Sequence, residues 1–363
     1  MPSDKEGIFI SALMPDFHRN LHRFTLFTSV CTFLLLIAGG MVTSTGSGLA
    51  VPDWPLSYGK LMPPMIGGIF YEHGHRMVAS FVGLLTVMLT FWIVKVEKRL
   101  WVKKLAIAAL ASVILQGLLG GLTVKLMLPT EVSAAHATLA QLFFCIVCSL
   151  ALFTSPWWLS REERKNSLEM SSLPSIKAST LLVVVIFIQL ILGALVRHTQ
   201  SALAIPDFPL AFGQILPSLT QESVNAYNEM LIREDVRLFA DGPVTQNQIL
   251  IALLHRIWAL VVTSLVVWNS VKLWRSRTSD SRFGIIAASL LGVVAVQVIL
   301  GASVVLTLRI PEIATAHQTF GATLLMVSVI AALHVWRLLK GEIDPNRQAG
   351  DGILDPNKPY VTS

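Results

Sequence analysis

The sequence predicts an all-α integral membrane protein with eight transmembrane helices arranged as two parallel-repeat four-helix bundles. Three observations predict it. Of 363 residues, 53% are hydrophobic and 14% charged, with mean hydropathy +0.65, whereas a soluble domain carries about 25% charged residues. Eight apolar runs approach the ~20 residues that a bilayer-spanning helix needs. The first four runs, with their loops, recur in the last four.

The runs are about Phe24–Val42, Phe70–Val94, Leu105–Val124, Val132–Phe153, Thr180–Val196, Ile249–Val271, Phe283–Leu306 and Ile313–Trp336. The first follows Arg19 and Arg23 and resembles a signal peptide, but it is nearly of span length and shows no obvious small-residue cleavage site. It also matches the fifth run, so it is read as a retained helix. Cys31, Cys145 and Cys148 all fall in apolar runs, which gives no disulfide framework. The CxxC spacing of Cys145 and Cys148 lies inside a membrane helix, where packing is the plainer reading.

Basic residues set the orientation. Lys95, Lys98, Arg99, Lys103 and Lys104 lie between runs two and three; Arg161, Arg164, Lys165 and Lys177 between four and five; Lys272, Arg275, Arg277 and Arg282 between six and seven. Arg337 and Lys340 follow the last run, while the alternate loops are poorer in Lys and Arg or, with Arg197, Arg233 and Arg237, diluted by acids. Both termini are therefore expected in the cytoplasm. The net charge of +6 and pI near 9.3 are explained by these loops, and no nucleic-acid partner is expected. Trp92, Trp101, Trp157, Trp158, Trp268, Trp274 and Trp336 fall at the inner ends, where an aromatic belt belongs.

The repeat is the strongest organising signal. Gly48 to Gly59 reads against Ala202 to Gly213, each with Pro-Asp-aromatic-Pro; His75-Arg76 reads against His255-Arg256, Gln116 against Gln297 and His136 against His317. Four helices per unit is even, so both units share one orientation. The implied division is a cytoplasmic segment 1–23, a first half 24–155, a cytoplasmic linker 156–177, a second half 178–340 with an outer-loop insertion at about 214–247, and a cytoplasmic tail 341–363. The insertion is polar enough to sit in water. Because proline fixes φ, the two outer loops are expected to be shaped. They read equally as packing lids or as covers over a cofactor.

Each half offers one histidine near the start of its second helix and one near the start of its fourth. These are His75 and His136, then His255 and His317. Similar depth on helices of one bundle is what two axial imidazoles on a haem iron require. A lone interfacial histidine is more often a polar anchor. Four at repeat-matched positions favour ligation, because polar groups inside a bundle are costly and tend to be functional. Zinc would want three or four clustered ligands, and these four histidines show no HxxxH-type spacing. His73 maps to Leu253 and is expected near the haem edge or solvent. His198 is expected at an interface, and His18, His22 and His334 are read as structural or solvated.

Glu72 maps to Ala252, so it occurs in one half only. Its plainer reading is a salt bridge with Arg76 or a capping role; its functional reading is proton handling beside the reacting group. Arg76 and Arg256 read equally as propionate partners or as snorkelling interfacial residues. Gly117, Gly120, Gly121, Gly193 and Gly301 are read first as sites of close helix packing, Gly117 and Gly121 having GxxxG spacing; room for a porphyrin edge is the second reading. Gln116 and Gln297 are expected to hydrogen-bond between helices.

These features together resemble the haem A synthase family. Glu72-x-x-His75-Arg76, His136, His255-Arg256, His317 and the loop Gly46-Ser47-Gly48-Leu49 with Pro52-Asp53-Trp54-Pro55 carry the resemblance over nearly the whole chain. It implies an oxidoreductase of a bacterial plasma membrane that oxidises the C8 methyl of haem O to a formyl group, giving haem A for cytochrome oxidase. It implies haem b on His255 and His317, with substrate haem O on His75 and His136. The haem sites lie near the outer face, and the family's catalytic glutamate falls on Glu72. Haem O synthase, cytochrome oxidase assembly factors, membrane lipid and a second copy of the chain are the expected partners. One departure is that the first outer loop lacks the cysteine pair of many bacterial members, with Val51 and Ser57 nearby. Two other functions compete: a dihaem b-type electron-transfer cytochrome oxidising quinol, and a haem transporter or chaperone.

Overall fold

The structure is a computed structural model and describes residues 17–159, 175–236, 242–278 and 280–340. Most of the N-terminal segment, Arg161, Arg164 and Lys165 of the linker, Arg237 of the insertion and the tail 341–363 lie outside the described residues. The helices are α1 (Arg19–Ser44), α2 (Gly68–Val96), α3 (Leu100–Lys125), α4 (Thr130–Phe153), α5 (Pro156–Leu159), α6 (Ile176–His198), α7 (Gln221–Arg233), α8 (Gln246–Arg275), α9 (Ser281–Leu306) and α10 (Pro311–Lys340). All but α5 and α7 are long and apolar enough to cross a membrane, which gives the eight expected spans. They outrun the apolar runs by a few residues. For example, α1 begins at Arg19 and α8 ends at Arg275, because Arg and Lys are good helix formers that carry the helix past the apolar stretch.

α1 packs on α2 and α4, and α3 packs on the same two. α6 packs on α8 and α10, and α9 packs on those two. α1 and α4 meet α10, and α4 also meets α6, so a seam of four helices runs between the two groups. Each group has its own apolar core, with Leu85, Leu89, Ile93 and Val147 in the first and Ile186, Val266, Phe283 and Leu290 in the second. At the end away from the histidines, α5 turns Trp157 and Trp158 inward. Trp157 stacks on His334 with ring centres 3.9 Å apart, and the Arg337 guanidinium lies 4.3 Å from its ring. Trp158 is buried at 2% exposure, whereas Trp101, Trp268 and Trp274 are exposed. The expected aromatic belt is therefore partly an internal plug, since α5 folds back over the bundle instead of lying in the interface.

At the opposite end the two outer loops, 45–67 and the described parts 199–236 and 242–245 of the second, form matching lids. In the first, Asp53 accepts hydrogen bonds from Tyr58 N (2.7 Å) and Gly59 N (2.8 Å). In the second, Asp207 accepts from Phe212 N (2.7 Å) and Gly213 N (2.8 Å). These four residues have φ of 53°, 66°, 55° and 72°, and the carboxylates satisfy the donors of a turn that would otherwise be costly for Tyr and Phe. The insertion is part of the second lid and not a free polar segment. Val224, Tyr227 and Leu231 of α7 are buried with Ile205 and Ala211, and Tyr227 stacks on Phe212 at 3.8 Å. The polar face of α7 meets solvent, which is why the segment's average composition suggested water.

Candidate functional site

Each of the four histidines sits within the first three turns of its helix, beneath a lid. The His255 and His317 rings face each other with centres 6.5 Å apart and planes at 77°. Two imidazoles binding one metal ion from opposite sides, with metal–nitrogen bonds near 2 Å, place their ring centres about 6 Å apart. The pair therefore has the separation that a shared iron requires. His317 Nδ1 lies 3.2 Å from the Gln297 carbonyl oxygen. A carbonyl can only accept, so Nδ1 carries the proton and the Nε2 lone pair is left for a metal. His136 Nδ1 and His75 Nδ1 are buried with no hydrogen-bond partner among the described residues. Gln189 Nε2 donates to the His255 carbonyl oxygen (3.1 Å) and lies 3.2 Å from His255 Nδ1. Leu35 holds the matching place in the first half.

A glycine faces every one of these rings across a helix contact. A Cβ on Gly39 would lie 3.0 Å from His75 Cε1, on Gly120 3.3 Å from His136 Cε1, on Gly193 3.2 Å from His255 Cε1 and on Gly301 2.9 Å from His317 Cε1. The glycines make room for the imidazoles. Gly39 and Gly193 match in the repeat, as do Gly120 and Gly301, so pairing glycines by repeat position would have found the set. The GxxxG reading is corrected: a Cβ on Gly117 would meet nothing within 4 Å, and one on Gly121 would meet the Trp54 ring of the first lid at 2.7 Å. Gln116 and Gln297 leave their side-chain oxygens without partners, and it is the Gln297 backbone that engages a histidine. Among the described residues no group of three or more His, Cys, Asp or Glu side chains gathers as a zinc site would need.

The arginines next to the ligand-type histidines are lid clamps. Arg76 Nη1 donates to Asp53 O (2.8 Å) and Leu56 O (3.0 Å), and its Nη2 donates to Val51 O (3.2 Å). Arg256 repeats this with Asp207 O (2.8 Å), Leu210 O (2.9 Å) and Ile205 O (2.9 Å). The His-Arg and Pro-Asp-aromatic-Pro motifs thus belong to one device that holds each lid over its histidine pair, a role outside both readings of the sequence. The Asp53 carboxyl is held below the usual carboxylate range by the Gly59 and Tyr58 N–H groups.

The lids differ in the seam beneath them. Glu72 is buried, accepts from Val51 N at 2.7 Å and pairs with Arg76 at 2.6 Å. The salt bridge of its plainer reading is therefore present, and both carboxylate oxygens are engaged. His73 is neither solvent-exposed nor loose; it is buried and its Nδ1 meets Ser57 Oγ at 2.7 Å. In the second half the same places hold Ala252, Leu253 and Ala211, and Ala211 and Ala252 lie in an apolar cluster. His198 is half-buried at the last residue of α6.

Eight helices long and apolar enough to cross a membrane, with the His255 and His317 rings close together and His75 and His136 at the matching places, define a multi-pass membrane protein. The chain belongs to the COX15-CtaA family, described as cytochrome oxidase assembly protein, whose model it matches over residues 22–68 and 66–329. It is 30% identical over 362 residues to a heme A synthase of Beijerinckia indica, covering 86% of this chain and 91% of that protein. It is 29% identical over 300 residues to a heme A synthase of Shouchella clausii, covering 80% and 88%. A heme A synthase of Alkalihalophilus pseudofirmus is 30% identical over 207 residues, covering 56% and 68%.

Proposed function

We propose that this protein is a membrane oxidoreductase that converts haem O to haem A by oxidising the C8 methyl to a formyl group. The observation that carries the reading is the pairing of histidines under matched lids with a carboxylate, Glu72, in one half only. His255 and His317 hold a resident haem b, and His75 and His136 receive haem O. The histidine separation, the His317 tautomer and the glycine facing each ring support porphyrin iron at these places. The two groups of four helices act as parallel repeats in a bacterial plasma membrane, with both termini cytoplasmic and the haem sites near the outer face. The chain divides as its composition suggests, into halves 24–155 and 178–340 with cytoplasmic flanks 1–23, 156–177 and 341–363.

Taking a methyl to a formyl group with water as the oxygen source releases four electrons and four protons; haem b, when bound, would pass those electrons on one at a time to an external acceptor. The chain's own residues do the rest. His75 and His136 fix the substrate ring so that its edge is presented, Arg76 holds the first lid down to exclude water, and Glu72 takes up a proton released as the methyl carbon is oxidised. One Glu72 oxygen holds the lid at Val51 N and the other holds Arg76, the residue that clamps that lid, so protonation weakens its bond to Arg76 and couples proton uptake to lid release. Haem O synthase and oxidase assembly factors are the partners that supply substrate and take product, and the second lid with α7 offers the surface for them or for a second copy.

Purification from a host that makes haem O, with extraction and mass identification of the haems, tests this. Haem b together with haem O, its hydroxylated form or haem A is expected. Two equivalents of haem b alone would instead identify a dihaem electron-transfer cytochrome.

A further inference from the structure

Arg197 is a half-buried cation with no counter-ion among the described residues. It lies in the last turn of α6, in the seam between the halves. Its Nη1 donates to Gln318 Oε1 (2.5 Å), and its Nη2 donates to Gly40 O (2.8 Å) and Ser44 Oγ (2.5 Å). All three acceptors are neutral, and among the described residues Arg197 forms no ion pair. A guanidinium has five N–H donors, so two remain for another partner. The carbonyls at the end of α6 offset part of the charge, but a cation partly withdrawn from water is costly unless an anion meets it.

Its position limits what that anion can be. Gln318, which it holds, follows His317 in sequence. Gly40, which it also holds, follows the glycine that faces His75. Three other arginines at this end are engaged elsewhere: Arg76 and Arg256 clamp the lids, and Arg309 donates to Gln200 Oε1 at 2.6 Å. The repeat places Thr43 opposite Arg197, so the cation belongs to one half, as Glu72 belongs to the other.

We propose that Arg197 receives a carboxylate of the porphyrin held by His255 and His317. The inference rests on the reading of those histidines as haem ligands. Planar N–H pairs suit a carboxylate geometrically, and a porphyrin propionate is the anion that arrives with the ligand.

The test compares wild type, Arg197→Gln, Arg197→Lys and Ser44→Ala as purified haem-loaded proteins, by redox titration of the low-spin haem and by the resonance-Raman propionate bending band. Arg197→Gln is expected to shift the ferric-to-ferrous ratio about tenfold toward ferric, about 59 mV for one electron, and to move the propionate band. Ser44→Ala, which removes a tie but keeps the cation, leaves both unchanged. Arg197→Lys keeps the midpoint and moves the band. Arg197→Gln with wild-type midpoint and band overturns the inference while leaving the haem reading intact. If Arg197→Gln does not accumulate, Arg197→Lys decides, since a band at the wild-type position overturns the proposal. Absence of any low-spin haem that is lost in His255→Ala overturns both.

Discussion

Gly301→Ala is expected to empty the His255–His317 site while leaving the helices folded. The new Cβ would lie 2.9 Å from His317 Cε1 and 3.5 Å from Nδ1. Carbon atoms rest at about 3.5–4.0 Å, so the ring must retreat by roughly 0.6–1 Å. That displacement stretches the 3.2 Å contact from Nδ1 to the Gln297 carbonyl and carries Nε2 off the line between the two rings. Overpacking of this kind costs about 1–3 kcal/mol; charged against haem affinity, that is a loss of roughly 5- to 150-fold. The assay is haem b per protein with the low-spin spectrum of bis-histidine iron. Gly117→Ala and Gly292→Ala are the controls, because a Cβ at either place meets nothing within 4 Å. Full haem content and an unchanged spectrum in Gly301→Ala, or equal losses in the controls, would refute the argument that the glycine exists to admit the ring.

Further outcomes follow from the lids. Glu72→Ala removes both the Arg76 pair and the bond from Val51 N; haem b is expected to stay bound while conversion of haem O stops, and conversion at the wild-type rate would remove Glu72 from proton handling. Arg256→Leu leaves three loop carbonyls without a donor and should lower stability by about 3 kcal/mol, at roughly 1 kcal/mol per lost bond, with faster proteolysis at the second lid; an unchanged cleavage rate would show that α7 alone holds it. The Asp53 carboxyl has a depressed pKa in the folded protein, so its contribution to the first lid is present above the ordinary carboxylate pKa and is lost as pH falls through the lowered value. Cleavage of the first lid should therefore accelerate only in acid below the ordinary carboxylate range, and Asp53→Asn should remove that acid step.

The sequence by itself determined the eight spans, because a helix in a bilayer must be apolar over a length that composition alone reveals. It also determined the repeat, and with it which histidines correspond, because equivalent places in duplicated units keep equivalent residues. It showed that Glu72 has no counterpart, since one Glu against one Ala is visible in a line of letters. Only the tertiary structure decided what these residues touch. Arg76 and Arg256 were ambiguous because a guanidinium serves a propionate, a headgroup or a carbonyl equally well; the loops that fold over them supply the carbonyls. The glycines facing the rings were hidden because the contact joins residues 16 or more positions apart on neighbouring helices, as with Gly39 and His75. Burial of His73 against Ser57, and the placing of Arg197 away from any acid among the described residues, depends on which helix faces turn toward each other. That is set by packing of side chains across the seam, a relation that periodicity along one helix does not contain.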